Sequence, residues 1–190
     1  MMVAMLPSLT TLPAHATNFS GASGRTGCTN LNDMVNMQDN SVMTYSRVAL
    51  TSQFYSATAW VLNNDIAPTD LQLAAEVSVP DANTDVVYQD GYYGTLCGLD
   101  WGTVSRAPNL LGITICVSLS GQTCQRSNIF MAEYFATTAS TAYLRAISCH
   151  ETGHSVGLLH RSDTAGCMPE SPGLAYVYTA HDIAHINANY

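Results

Sequence analysis

The chain contains no lysine. Its six cations are all arginines, at 25, 47, 106, 126, 145 and 161, and charged residues make up only 11% of the 190, against roughly 25% in an average soluble domain. With 14 acids the formal net charge is −8. An acidic chain without a basic cluster lacks the electrostatic footprint that phosphate backbones and anionic lipid surfaces require, so neither nucleic acid nor a membrane surface is an expected partner. No apolar run approaches the roughly 18 to 20 residues that span a bilayer. No block is repetitive enough for a repeat array or a disordered low-complexity tail. C-x-x-C pairs, which would suggest a redox motif or a zinc knuckle, are missing. No Asp-rich loop has a recognisable calcium-ligand spacing, so calcium is neither predicted nor excluded.

What is present is 47% hydrophobic residues in a length that suits one domain with one sizeable core, here expected over 17–190 as a monomer. The six cysteines form an even set, at 28, 97, 116, 124, 149 and 167, and disulfides in an oxidising compartment are the natural reading. Cys116 and Cys124 enclose a short polar stretch that suits a hairpin or Ω-type loop stapled locally. The first sixteen residues are apolar and end in Ala14-His15-Ala16, an A-x-A pattern, but lack a basic n-region. They are either the remnant of a signal peptide or a disordered N-terminus, and 1–16 is set apart from the fold on both readings.

Periodicity predicts strands over 41–49, 71–79, 84–89, 110–118 and 127–135, the last two being the strongest. Helices are expected over 51–64, 140–156 and about 179–189, with Thr or Ser available to cap them. A Gly- and Tyr-rich loop covers 91–102, and the Pro- and Gly-containing stretch 166–174 reads as irregular. Strands with one helix inserted early and others late indicate an α+β domain.

The decisive stretch is 150–160, where His150, Glu151, His154, Gly157 and His160 fit H-E-x-x-H-x-x-G-x-x-H. Residues four apart lie on one helix face, so His150 and His154 can offer two imidazole nitrogens to one ion. Gly157 permits the left-handed turn that ends a helix and brings His160 in from a third direction. Three protein ligands with an open fourth position describe a catalytic zinc site, and Glu151 stands where it can hold a water. With six His, four Glu and 13 Gly in the chain, chance would produce this pattern about once in 10⁵ such sequences, which sets aside an accidental histidine cluster.

This motif is that of the metzincin metallopeptidases, and Met168, within Cys167-Met168-Pro169, resembles their Met-turn, a hydrophobic floor beneath the metal. The resemblance is nearest to the matrixin branch and to related secreted bacterial enzymes. It implies a twisted mixed sheet with an antiparallel edge strand, a backing helix and an active-site helix. An upper part, about 17–157, would stand over a small irregular lower part, about 158–190, that ends in a helix. It implies further that Asp182, on the last helix, tethers the Met-turn, and that 110–117 is the edge strand above the cleft. Along that strand Leu110, Leu111, Gly112, Ile113 and Thr114 would pair with an extended substrate through their backbone.

Four cysteines besides Cys116 and Cys124 allow three connectivities. Cys149 with Cys167 is favoured because they flank the two motifs expected to meet, which leaves Cys28 with Cys97. The chain departs from the astacin- and serralysin-type pattern, with Glu170 where a Tyr ligand would stand, and it has no cysteine-switch motif. His181 and His185, four apart on the last helix, lack a third partner and read as surface or tether residues. The expected function is a secreted, extracellular zinc endopeptidase that cleaves peptides or proteins by a water activated with Glu151 as base and then acid. The competing expectation is a secreted zinc-binding protein without turnover.

Overall fold

A computed structural model describes residues 18–28, 35–103, 105–170 and 173–190. The segment 1–16, set apart above, lies outside them.

The first strand, β1 (Val42–Ser46), leads into helix α1 (Ser52–Val61). Thr51 starts that helix by accepting from the Phe54 N–H, and Thr51 is itself fixed by Asp90, whose Oδ2 accepts from its hydroxyl at 2.6 Å. Phe54, Ala57, Thr58 and Val61 are buried, which is the i, i+3, i+4, i+7 stripe of a helix with one face on a core. A wider π-helical turn, Leu62–Ile66, prolongs α1 beyond the expected end and directs Leu62, Asp65 and Ile66 inward. Strand β2 (Gln72–Glu76) is shorter than expected, and β3 (Val86–Gly91) begins and ends two residues later than expected. Val86, Val87 and Tyr88 are buried in succession, the mark of a parallel strand covered on both faces. Strands β4 (Gly112–Ser120) and β5 (Thr123–Ala132) form a hairpin across Gly121 and Gln122, so the stretch between Cys116 and Cys124 is a β-hairpin and not an Ω loop.

Together these make a five-stranded mixed sheet in the order β2-β1-β3-β5-β4, parallel except for β4, which runs antiparallel to β5 at the edge. With the helices it gives an α+β architecture. The expected strand over 127–135 is corrected at its end: β5 stops at Ala132, and Tyr134–Thr138 forms a short helix, α2. Tyr and Phe favour strands because they pack well on a half-buried sheet surface, and that preference gives way when a helix packs them better. Here Phe135 meets Tyr143 edge-on with ring centroids 5.9 Å apart.

Helix α3 (Thr141–Ser155) is capped by Ser140, which accepts from the Tyr143 N–H. Helix α4 (Ala180–Asn189) opens with a capping box formed by Thr179 and Asp182. The main core joins Phe54 of α1, Tyr88 of β3, Ile129 and Met131 of β5, Ile147 of α3 and Ile186 of α4. A second cluster holds Ile113 and Ile115 with Trp101. Successive strand residues face opposite ways, so Thr114, between those isoleucines, is turned toward α3.

Disulfides join Cys28 to Cys97, Cys116 to Cys124 and Cys149 to Cys167, with Cα separations of 5.3, 5.7 and 6.0 Å. These are the favoured pairings. Among the described residues no helix is long and apolar enough to cross a membrane.

Asp65, in the π turn, ties that turn to the segment leading into α4. Its Oδ1 accepts from the Tyr178 N–H at 3.3 Å, while Oδ2 is buried with no partner among the described residues. Burial pushes this carboxyl up to about 7, against which the Tyr178 hydrogen bond acts weakly. The native state therefore holds a proton on Asp65 between about pH 4 and 7 that the unfolded chain releases, and this contribution to stability declines as pH rises through that window. Chemical denaturation of the wild type and of Asp65→Asn checks it. The variant should gain on the wild type from pH 4 to 7.5, by up to about 1.4 kcal/mol per pH unit; a pH-independent difference would contradict the assignment.

Candidate metal centre

The second half of α3 is unusual for a helix because it is buried nearly all round although much of it is polar. Ser148, His150, Glu151, Thr152, His154 and Ser155 are all buried. Polar groups are tolerated inside only where they are paired. Tyr88 of β3 lies 3.2 Å from the Thr152 hydroxyl, Ser155 donates to the Thr152 carbonyl at 2.8 Å, and Tyr178 donates to the Cys149 carbonyl at 3.2 Å.

The same accounting fixes the histidines. Nδ1 of His150 lies 2.8 Å from the Cys167 carbonyl and Nδ1 of His154 lies 2.7 Å from the Leu158 carbonyl. A carbonyl accepts only, so in each ring Nδ1 carries the proton and Nε2 presents a lone pair. Those Nε2 atoms stand 3.0 Å apart, and each is 3.1 Å from Nε2 of His160. Burial lowers all three imidazoles, His150 to about 4 with its neighbour His160 adding to the effect, so they are neutral near pH 7 and available as ligands. This group of three could hold a metal ion.

His160 reaches the cluster because the helix stops on a glycine. Gly157 takes φ 94°, and the Leu158 and Gly157 N–H groups donate to the Gly153 and His154 carbonyls at 2.9 and 3.2 Å, a Schellman end. A side chain at 157 would also meet the Phe19 ring at 2.9 Å.

Glu151 is 4% exposed and lies against β4. The Thr114 hydroxyl is 2.8 Å from Oε2 and 2.7 Å from the Glu151 carbonyl. Burial pushes this carboxyl up to about 8, opposed by the Thr114 hydrogen bond. Gly112 is next to it: a Cβ there would stand 2.9 Å from Oε1. Thus two of the five strand residues singled out in the sequence, Gly112 and Thr114, touch the Glu151 carboxylate, one by making room and one by donating. Leu110 and Leu111 precede β4, Leu111 accepting from the Ala132 N–H at 3.0 Å, and Ile113 faces the second core cluster. All five line a cleft of about 810 Å³ together with Tyr143, Ile147, Leu159, Glu170 and the three histidines.

Met168 is fully buried under α3, against Gly153. The hydrogen bonds of Asp182 go to Asn18 at 3.0 Å, to the Thr179 N–H at 2.9 Å and hydroxyl at 2.7 Å, and to Arg161 at 3.3 Å. Its connection to Met168 runs through Arg161, whose N–H donates to the Met168 carbonyl at 2.9 Å. The Cys149–Cys167 disulfide joins the residue before His150 to the residue before Met168, closing a loop of 18 residues. A loop of that size contributes about 3 kcal/mol in the chain-entropy account.

Sequence reasoning did not single out Gly153, Tyr178, Asn18 or Arg161. Gly153 alone left a local trace, as a glycine inside an otherwise helical motif. No family model and no curated protein matches the chain.

A methyl group at 153 would overlap Met168 Sδ and stand 2.9 Å from its Cε. Gly153→Ala is therefore expected to lower stability by about 1–3 kcal/mol through overpacking, despite alanine's better helix propensity. Thermal melting checks this, and Gly153→Ala combined with Met168→Ala should cost less than the sum of the two single losses, because each relieves the other's packing defect.

Proposed function

We propose that the protein is a zinc-dependent endopeptidase of the metzincin type, acting outside the cell on extended peptides or proteins. The observation that carries the reading is the convergence of three Nε2 atoms within 3.1 Å, two of them with lone pairs fixed by tautomer, with a buried carboxylate on the adjoining helix turn and a strand edge alongside. Lone pairs so placed repel unless an electrophile lies between them. The ordinary zinc–imidazole distance of about 2.0–2.1 Å is compatible with a triangle of that size. A zinc ion held by His150, His154 and His160 would supply Lewis acidity, polarising the scissile carbonyl and lowering the pKa of an attacking water toward 7.

The remaining steps belong to the chain's own groups. Glu151 takes the water's proton at Oε1, its Oε2 being held by Thr114, and then delivers it to the departing amine nitrogen. A carboxyl held at about 8 would be protonated near neutrality, and positive charge beside it brings it down into the range of a working base. The backbone of β4 offers an edge to which an extended chain adds as a further strand, a mode that recognises peptide backbone rather than a particular side chain. Three disulfides support an extracellular setting.

Glu151→Ala tests the assignment. Metal analysis should still find one zinc per chain, while hydrolysis of casein should fall by at least 10²-fold, the usual scale for loss of a general base. In the wild type, phenanthroline should abolish cleavage. Zinc binding without any chelator-sensitive cleavage would favour a binding protein over an enzyme, and full activity in Glu151→Ala would reject Glu151 as the base.

A further inference from the structure

Helix α4 carries two histidines that the site above does not use. His181 and His185 are four residues apart, and their Nε2 atoms lie 3.2 Å from each other, with ring centroids 4.5 Å apart and planes at 88°. The pair His150 and His154 on α3 has the same form: Nε2 atoms 3.0 Å apart, centroids 4.5 Å apart, planes at 84°. We propose that His181 and His185 are a second metal site, a two-imidazole clip on the surface of α4 for a dication such as Zn²⁺, Ni²⁺ or Cu²⁺.

The geometry suits chelation. Two nitrogens 3.2 Å apart, each about 2.0–2.1 Å from one ion, subtend an angle of about 100°, between the square and tetrahedral values. Two imidazole nitrogens select the later first-row dications over calcium or magnesium, which take oxygen ligands. The His185 ring is stacked on Phe19, with centroids 6.1 Å apart and planes at 14°, so one of the two ligands is held in orientation before an ion arrives. Burial lowers His185, with His181 adding to the effect, which keeps that ring unprotonated near neutrality. Both residues are half-buried, so water can complete the coordination shell. The neighbouring Asp182 carboxylate is turned inward onto Thr179, Arg161 and Asn18 and is not a third ligand. Arg161, whose charge acts on His185, is engaged by Asp163 and Asp182. Among the described residues the site thus has two protein ligands against three on α3, and binds more weakly and exchanges faster.

The test is a titration of the zinc-loaded protein with Ni²⁺ at neutral pH by calorimetry, repeated on His181→Gln and His185→Gln. The wild type should take up one further equivalent. Losing an outer-shell partner typically weakens metal binding 10–100-fold, so losing one of only two ligands should weaken this equivalent at least about tenfold. Circular dichroism verifies that each variant folds. In the unaltered chain Ni²⁺ should broaden the His181 and His185 imidazole proton signals in NMR, a readout that needs no variant. No further equivalent, no broadening at these two rings, or an equivalent retained at full affinity in both variants would overturn the proposal. A protein whose three-histidine cluster took up no zinc would still decide it, because the readout is the ion lost with this pair.

Discussion

Three imidazole nitrogens share a space 3.1 Å across, two of them with lone pairs that repel each other, and the protein has to hold them there before any ion arrives. It does so from behind. The carbonyls of Cys167 and Leu158 take the Nδ1 protons of His150 and His154, which fixes both tautomer and ring direction. Each carbonyl is in turn placed by something else. Cys167 is held by its disulfide to Cys149 and by its N–H on the Val177 carbonyl, and Leu158 by the Schellman turn at Gly157. Much of the region from 157 to 182 thus serves to keep two carbonyl oxygens in place. A cation bound at the cluster would stabilise the folded chain further, since the unfolded chain offers no such triangle.

How much of this the sequence revealed follows from the range of each interaction. The spacing of His150, His154 and His160 is a property of one helix and its end, so a period of 3.6 and one glycine were enough to bring them together. The caps at Thr51, Ser140 and Thr179 are equally local. The partners of Glu151 are not: Thr114 and Gly112 are nearly forty positions away, and nothing in a polar residue of an apolar strand announces that it faces a carboxylate rather than solvent. Gly153 and Met168 are each visible alone, but the contact between them depends on the path of 161–167. The misplaced end of β5 has the same origin, because Tyr134 and Phe135 carry strand preference and only the packing of α2 against α3 overrides it.

Local consistency also explains why so little charge suffices. The described ion pairs are few, and the most buried of them, Arg161 with Asp182, belongs to the support of Met168 rather than to the surface. Part of the remaining polar structure is neutral: hydroxyls of Thr44, Thr58, Thr114, Ser155 and Tyr178 against backbone oxygens, and Tyr88 against Thr152. Neutral pairs of this kind are insensitive to salt, whereas surface ion pairs weaken as it rises.

The hairpin of β4 and β5 also sets a length. Regular pairing runs from Gly112 to Cys116, and the register then shifts twice before Leu119. At Cys116 the carbonyl already accepts from the Gly27 N–H at 2.9 Å, so the N-terminal segment closes the sheet's outer rim at that point. Among the described residues this leaves about four residues of straight rim, 112–115, or about 14 Å at the usual strand rise. In the proposed peptidase that ruler would be long enough to align the few residues on one side of a scissile bond. It is also too short to serve as a template for open-ended stacking of one copy on the next, the hazard that a longer flat rim would carry.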